Sequence, residues 1–274
     1  MKIALIVLSS LVLFLLLCFC VFLFLIKPNR KRGEIEKYLC IRYAHRGLHN
    51  GTRAENSLSA FSAAVDAGYA IELDVRLSSD GELVVFHDDT LDRVTKEKGR
   101  VDARTKEELS KIHLNGTEDT VPTFKEVLSL VGGKVPLLVE IKEDAGKYAA
   151  TEKVIEVLSE YKGDFMIESF NPLALSVIKK RMPHVLRGVL SETFWKNKKC
   201  RTPIYFITQF LLLNFLCRPD FIAFNHRDAQ NSALKLTRGI FGAPTVAWTV
   251  RSEEEEIRAR ENGFDAVIFE NYLP

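Results

Sequence analysis

The sequence predicts an α/β fold: a (β/α)8 TIM barrel with a small insertion after its second strand, preceded by one apolar N-terminal helix. Three observations carry that expectation. Eight short apolar segments alternate with helical patterns along most of the chain. One extra strand-like segment follows the second of them directly after a turn signal. Residues 3–26 contain no charged side chain.

The apolar run comes first. Only Ser9 and Ser10 in it are clearly polar. As a helix it extends roughly 36 Å, enough to cross a hydrocarbon core of about 30 Å. A cleaved secretory signal has a shorter apolar core and a small-residue cleavage site, and "LFLIKPNRKRG" offers no A-x-A pattern. Leu17 and Phe19 precede Cys18 and Cys20 where lipoprotein processing needs a small residue. The segment therefore reads as an uncleaved membrane anchor, residues 1–27, followed by a basic linker, 28–38, and a catalytic domain, 39–274. Lys27, Arg30, Lys31 and Arg32 outweigh Lys2 and the amino terminus, which places that domain on the cytoplasmic side.

From residue 40 the strand candidates are "CIRYAH", "AIELDVRL", "PLLVEIK", "DFMIESF", "VLRGVLS", "DFIAFNH", "PTVAWTV" and "AVIFEN". Helical patterns lie between most of them, at 57–67, 148–161, 172–181, 229–240 and 253–262. Strands alternating with helices imply a parallel sheet, and eight of them suit a closed barrel better than an open doubly wound sheet. "ELVVFHDD" follows the turn signal "SSDG" and is expected to fold back as a hairpin arm. Residues 90–123 then form a charged excursion on the functional face of the barrel. The run "TPIYFITQFLLLNFLC" is too short for a secure membrane span. It reads as a well-buried barrel helix, with membrane or acyl-chain contact as the alternative.

Composition narrows the function. A net charge of +2 argues against nucleic acid as the main partner. The five cysteines include no C-x-x-C pair, so neither a disulfide framework nor a zinc site is indicated.

Side chains two apart in a strand share a face. In "IELDV", Glu72 and Asp74 therefore point one way while Ile71, Leu73 and Val75 point the other, toward the outer helices. The same alternation puts Glu140 and Lys142 together in "PLLVEIK". Three carboxylates converging near a barrel rim repel one another and lose hydration, so they imply a cation. All-oxygen ligation suits one divalent ion, Mg²⁺ or Ca²⁺. His45 ends the first strand and His87 the hairpin arm, and two imidazoles on one face make a plausible acid–base pair. Arg46 offers a planar fork for phosphate oxygens and Lys142 a point charge, while Gly47 permits the tight turn that aims Arg46. A divalent ion, the three carboxylates, a phosphodiester and these two bases together leave the site neutral.

In these residues the chain resembles the glycerophosphodiester phosphodiesterases. The pattern runs in that family's order through "AHRG", "AENS", "IELDV", "DGELVVFHDDTLDRVT", "GRV", "LVEIK", "SF" and "WTV". The resemblance implies metal-dependent hydrolysis of a glycerophosphodiester to glycerol 3-phosphate and an alcohol. It casts His45 and His87 as acid and base, Glu72, Asp74 and Glu140 as metal ligands, and Arg46 and Lys142 as phosphate contacts. Glu55 and Asn56 match an element that orients the first loop. Trp248 matches an aromatic lining the alcohol or glycerol side, although barrel packing explains it nearly as well. Ala54 and Ser57 replace the usual proline and threonine. Phe269 and Glu270 stand in the usual Thr and Asp places, which leaves the contribution of the last strand open. Other readings are lysophospholipase D activity on membrane lysophospholipids, a related barrel phosphodiesterase of the sphingomyelinase D type, and a tethered phosphodiester-binding module without turnover.

Overall fold

The structure, a computed structural model, describes residues 2–29, 32–144 and 146–274. Helix α1 spans Lys2–Ile26 and α2 spans Arg32–Leu39. Arg30 and Lys31, which enter the charge asymmetry after the apolar run, lie outside the described residues. The barrel strands are β1 Arg42–His45, β2 Ala70–Leu77, β4 Leu137–Ile141, β5 Phe165–Ser169, β6 Arg187–Ser191, β7 Phe221–Asn225, β8 Thr245–Val250 and β9 Ala266–Phe269. They pair in parallel, and β1 bonds to both β2 and β9, which closes the ring. The additional strand, β3 Leu83–Val85, runs antiparallel to β2.

The expected alternation of faces sorts the interior. Ile71, Leu73, Val75, Leu137, Val139 and Ile141 pack outward against the helices. Tyr43, Leu138, Met166, Phe221, Val246 and Ile268 fill the inside. Gly188 makes room there, because a Cβ at that position would lie 2.1 Å from the Phe221 ring.

Helix starts carry local signals. Ser57 caps α3, Leu58–Asp66, by accepting a hydrogen bond from the Ala60 amide. Thr123 and Glu126 form a capping box on α5, Phe124–Val131. The remaining wall helices are α6 Ala149–Ser159, α7 Pro172–Arg181, α10 Ser232–Phe241 and α11 Glu253–Glu261.

Two segments differ from expectation. The stretch read as a linker is largely the helix α2, whose Ile35 and Tyr38 are buried in the inner barrel cluster. Three apart, they share one face of that helix. Tyr43 donates its hydroxyl to the Tyr38 carbonyl at 3.1 Å, fastening this plug to the amino-terminal end of the barrel. The run 202–217 is not one buried helix. It forms α8, Pro203–Gln209, and α9, Asn214–Cys217, broken around Leu211, whose φ is +58°. Cys217 and Leu211 are buried, but Ile204, Tyr205 and Phe206 remain exposed.

Strand β2 outlasts its neighbour. β1 pairs with it only as far as Glu72, and beyond that edge β3 pairs with Val75, Arg76 and Leu77. The excursion that follows β3 includes a short helix, α4 Lys106–Leu109, and has its own apolar cluster of Val84, Phe86, Leu91, Val101, Leu109, Leu114 and Val121. It is a small folded unit standing on the mouth of the barrel.

Candidate active site

The site begins where β1 ends. His45 is its last residue, and the chain turns immediately through Arg46 and Gly47, both at positive φ. At Gly47 a Cβ would lie 2.9 Å from the backbone of Ala60 in α3, so glycine lets the turn press against that helix. The turn directs the Arg46 amide onto Glu72 Oε2 at 3.0 Å. The Arg46 guanidinium donates to Glu55 Oε1 at 2.6 Å, and its Nε lies 3.4 Å from Asp74 Oδ2. Glu55 also accepts two bonds from Arg93, each 2.7 Å. Asn56 donates to Asp74 Oδ2 at 2.8 Å. The "AENS" loop thus ties the first turn to the acidic floor.

That floor is Glu72, Asp74 and Glu140, all buried, each with an oxygen within 4.8 Å of the others'. Strand register puts Asp74 directly opposite Glu140. Burial raises the Glu72 carboxyl well above its ordinary value, and repulsion from Asp74 and Glu140 adds to the effect. Burial, opposed by Lys142, pushes Glu140 up to about 7. For Asp74, Lys142 and Arg46 outweigh burial and hold the acid well below the carboxylate range. Lys142 Nζ lies 3.1 Å from Asp74 Oδ1 and 2.6 Å from Glu140 Oε1, so a single ammonium serves both oxygens. Buried anionic oxygens in this state suit a hard cation, whose charge removes the repulsion and fills the remaining lone pairs.

Each sequence-predicted residue reaches this region. His45 Nε2 is 4.0 Å from Glu72 Oε2, and its Nδ1 is 2.5 Å from Glu270 Oε2. Burial draws the imidazole down to about 4 against the opposing pull of Glu270, so the ring is neutral near pH 7. His87 follows β3 and is brought over the floor when the Phe86 amide bonds the Asp74 carbonyl at 3.0 Å. Its Nδ1 lies 2.5 Å from Asp88 Oδ1, and burial lowers its basicity while Asp74 opposes that shift. Arg93 holds Asp88 in turn, at 2.6 Å. Trp248 packs edge-on against Phe170, centroids 5.6 Å apart, with its indole Nε1 buried and unpartnered. Lys142 sits 5.9 Å from the Phe170 centroid. A cavity of about 320 Å³ opens beside Glu140 and Lys142, with Phe170, Leu173, Ile204 and Leu213 as its apolar wall.

Sequence reasoning did not single out Glu168, Asp88 or Arg93. Glu168 is buried opposite Glu140 in β5, and burial raises its carboxyl well above the usual range, with Glu140 adding to the effect. Burial thus favours its protonated form beside the trio. The alternation in "FMIES" already put it on the inner face. Glu270 holds His45 from the position where the family motif departs. It also accepts Arg251 Nε at 2.6 Å, and His49 Nε2 lies 3.7 Å from it. These engagements make it an orienting group for His45.

Comparison with known proteins accords with this geometry. The profile of the Glycerophosphoryl diester phosphodiesterase family matches residues 45–272. The chain is similar to a glycerophosphodiester phosphodiesterase of Caldanaerobacter subterraneus subsp. tengcongensis, 39% identical over 160 residues. That alignment covers 54% of this chain and spans 65% of the relative's length. A Bacillus subtilis (strain 168) glycerophosphodiester phosphodiesterase is 26% identical over 251 residues, covering 84% of this chain and 82% of its own. A Thermotoga maritima glycerophosphodiester phosphodiesterase structure matches with a TM-score of 0.64 at 26% identity, covering 84% of this chain and 93% of that one. An Oleispira antarctica phosphodiesterase in complex with the product sn-glycerol-3-phosphate shares the fold, with a TM-score of 0.70 at 24% identity and coverage of 85% and 94%.

Proposed function

Since the chain belongs to the glycerophosphoryl diester phosphodiesterase family, we propose that it hydrolyses glycerophosphodiesters to glycerol 3-phosphate and an alcohol, using one divalent cation and a histidine pair. The observation that carries this reading is the buried trio of Glu72, Asp74 and Glu140, two of whose oxygens share the single Lys142 ammonium, beside two histidines that are each held by a carboxylate.

Glu72, Asp74 and Glu140 would hold the cation, Mg²⁺ or Ca²⁺, which when bound supplies positive charge for the phosphoryl oxygens. The protein's own groups do the rest. Arg46 and Lys142 bind and orient the diester while remaining anchored on Glu55 and on the acidic floor. His45 donates its Nδ1 hydrogen to Glu270, so its Nε2 keeps a free lone pair and accepts the proton of the attacking hydroxyl. That hydroxyl belongs to water, or to the glycerol 2-position, in which case expulsion of the alcohol leaves a cyclic phosphate that water then opens to glycerol 3-phosphate. His87, at the more open end, enters as the imidazolium that Asp88 favours and gives its proton to the departing alkoxide. Trp248 and Phe170 border the organic part of the substrate.

One observation favours a lipid variant of this substrate, a lysophospholipid. The apolar side of the cavity, formed by Leu173, Ile204 and Leu213, exceeds what a polar head group needs and suits the start of an acyl chain. We read α1, uncharged from Ile3 to Ile26 and exposed over nearly all its length, as the anchor that keeps the barrel at a membrane, with the domain on the cytoplasmic side.

The test is product analysis on a panel of glycerophosphodiesters and their monoacyl counterparts, with and without EDTA. Glycerol 3-phosphate is expected from the soluble diesters, with loss of turnover in EDTA. His45→Ala and His87→Ala should each lower kcat by about 10²–10⁴-fold, the usual contribution of a general acid or base. Near-normal turnover in either variant would refute the pair.

A further inference from the structure

The run 193–218 carries Lys196, Lys198, Lys199, Arg201 and Arg218 and no Asp or Glu. Within it, Trp195, Ile204, Tyr205 and Phe206 are 40%, 54%, 37% and 40% exposed, an unusual density of large apolar surface on a folded barrel. These side chains are stacked together. Trp195 packs on Phe206 at 4.9 Å between centroids, and Phe206 on Phe210 at 4.9 Å. Tyr205 meets Phe194 at 5.1 Å, Phe194 meets Phe170 at 6.1 Å, and Phe170 meets Trp248. An aromatic path therefore leads from inside the proposed active site to the exposed face of α8. Ile204 and Leu213 belong at once to this segment and to the wall of the cavity.

The root of α1 rests on the same run. Asn214 Nδ2 bonds the Ile26 carbonyl at 3.1 Å, and Arg218 bonds the carbonyls of Phe24 and Lys27 at 3.0 and 2.9 Å. Phe24 faces Phe215, and the Asn29 amide reaches the Pro219 carbonyl. The contacts advance from Asn214 at Ile26 to Pro219 at Asn29, so the end of α1 runs parallel to the 214–220 stretch. That stretch descends to the start of β7, at the closed end of the barrel. Followed toward its amino end, α1 consequently heads for the mouth, the side on which α8 lies.

We propose that the α8 face, with Trp195, Tyr205 and Phe206 at its centre and Lys198 and Arg201 beside it, docks into the interfacial layer of an anionic lipid bilayer. Docking there would hold the cavity opening against the head groups. Tryptophan and tyrosine suit that layer because each presents an apolar body with a polar tip, and flanking bases meet anionic lipid. Here the Trp195 indole N–H is already satisfied by the Thr202 carbonyl and Lys196 is paired with Asp228, while Lys198 and Arg201, the latter bonding the Trp195 carbonyl through Nε at 3.2 Å, are nearby cations among the described residues. The inference rests on α1 being a membrane anchor.

The chain contains two tryptophans, so Trp248→Phe leaves Trp195 as the sole tryptophan, read by selective excitation beyond the tyrosine band. The full-length variant is reconstituted into phosphatidylcholine/phosphatidylglycerol vesicles with and without brominated acyl chains, and flotation is scored in parallel. Bromination should quench at least half of the Trp195 emission, and adding Phe206→Glu should at least halve that quenching. The wild-type chain should show partial quenching under the same conditions, which guards against misfolding of the variant. Flotation with unquenched Trp195 would overturn the docking face while leaving the anchor intact. Failure to float would overturn the anchor and this inference with it.

Discussion

His45 Nδ1 lies 2.5 Å from Glu270 Oε2, so the residue that ends the first strand is held by the residue that follows the last. The bond fixes which imidazole nitrogen carries hydrogen and which faces the acidic floor. Glu270→Gln keeps the length of the side chain but cannot hold a developing imidazolium by charge. Its kcat should fall about 10–100-fold, the range seen when a partner that orients a histidine is removed. KM should change little. Steady-state kinetics on a soluble glycerophosphodiester checks this, and an unchanged kcat would show that His45 needs no such partner.

The acidic floor gives a prediction that needs no activity assay. Glu72 is buried among like charges, and its oxygen Oε2 accepts the Arg46 amide, a bond that glutamine can also accept. In chelator, Glu72→Gln should therefore be as stable as the wild type or more so. Added Mg²⁺ or Ca²⁺ should stabilise the wild type by about 2.7 kcal/mol at a hundredfold excess over Kd. The variant should lose most of that gain. Thermal midpoints with and without the ion decide the matter, and an equal gain in both proteins would place the cation elsewhere.

Asp88 supplies a pH signature. Burial alone would raise its carboxyl, but hydrogen bonds from Arg93 and His87 prevail and bring it from 3.8 to about 2. A carboxyl depressed in the folded state adds stability above its unfolded value and loses it as the pH falls through the folded one. The stability difference between wild type and Asp88→Asn should thus be full at pH 6 and decline between about pH 4 and pH 2. Urea titrations at pH 6, 4 and 3 measure it. A difference that stayed constant over this range would mean that Asp88 is not held by charge.

Much of the site could be read from the sequence because strand alternation is a strict geometric rule. Glu72, Asp74, Glu140 and Lys142 face inward for the same reason that Leu73 and Val139 face outward. Glu168 obeys the same rule but is a lone acid in an apolar strand, which the pattern alone cannot separate from a chance residue. Glu270 was obscured because it lies past the last strand, where its reach depends on how β9 sits against β1. Residues 28–38 read as a linker because of their charge, and only packing reveals that Ile35 and Tyr38 fill the barrel floor. The split between α8 and α9 depends on a single left-handed residue, Leu211, in a run with no glycine or proline at the break.

The seam where β1 meets β9 has a consequence for biosynthesis. Ribosomes deliver the acidic floor and both histidines long before residue 270 emerges. A nascent or C-terminally clipped polypeptide therefore possesses the ingredients for chemistry but lacks the grip that steadies one of its two imidazoles. Competence arrives with the closing stave, so an unfinished copy would hold the parts of the site without their working arrangement.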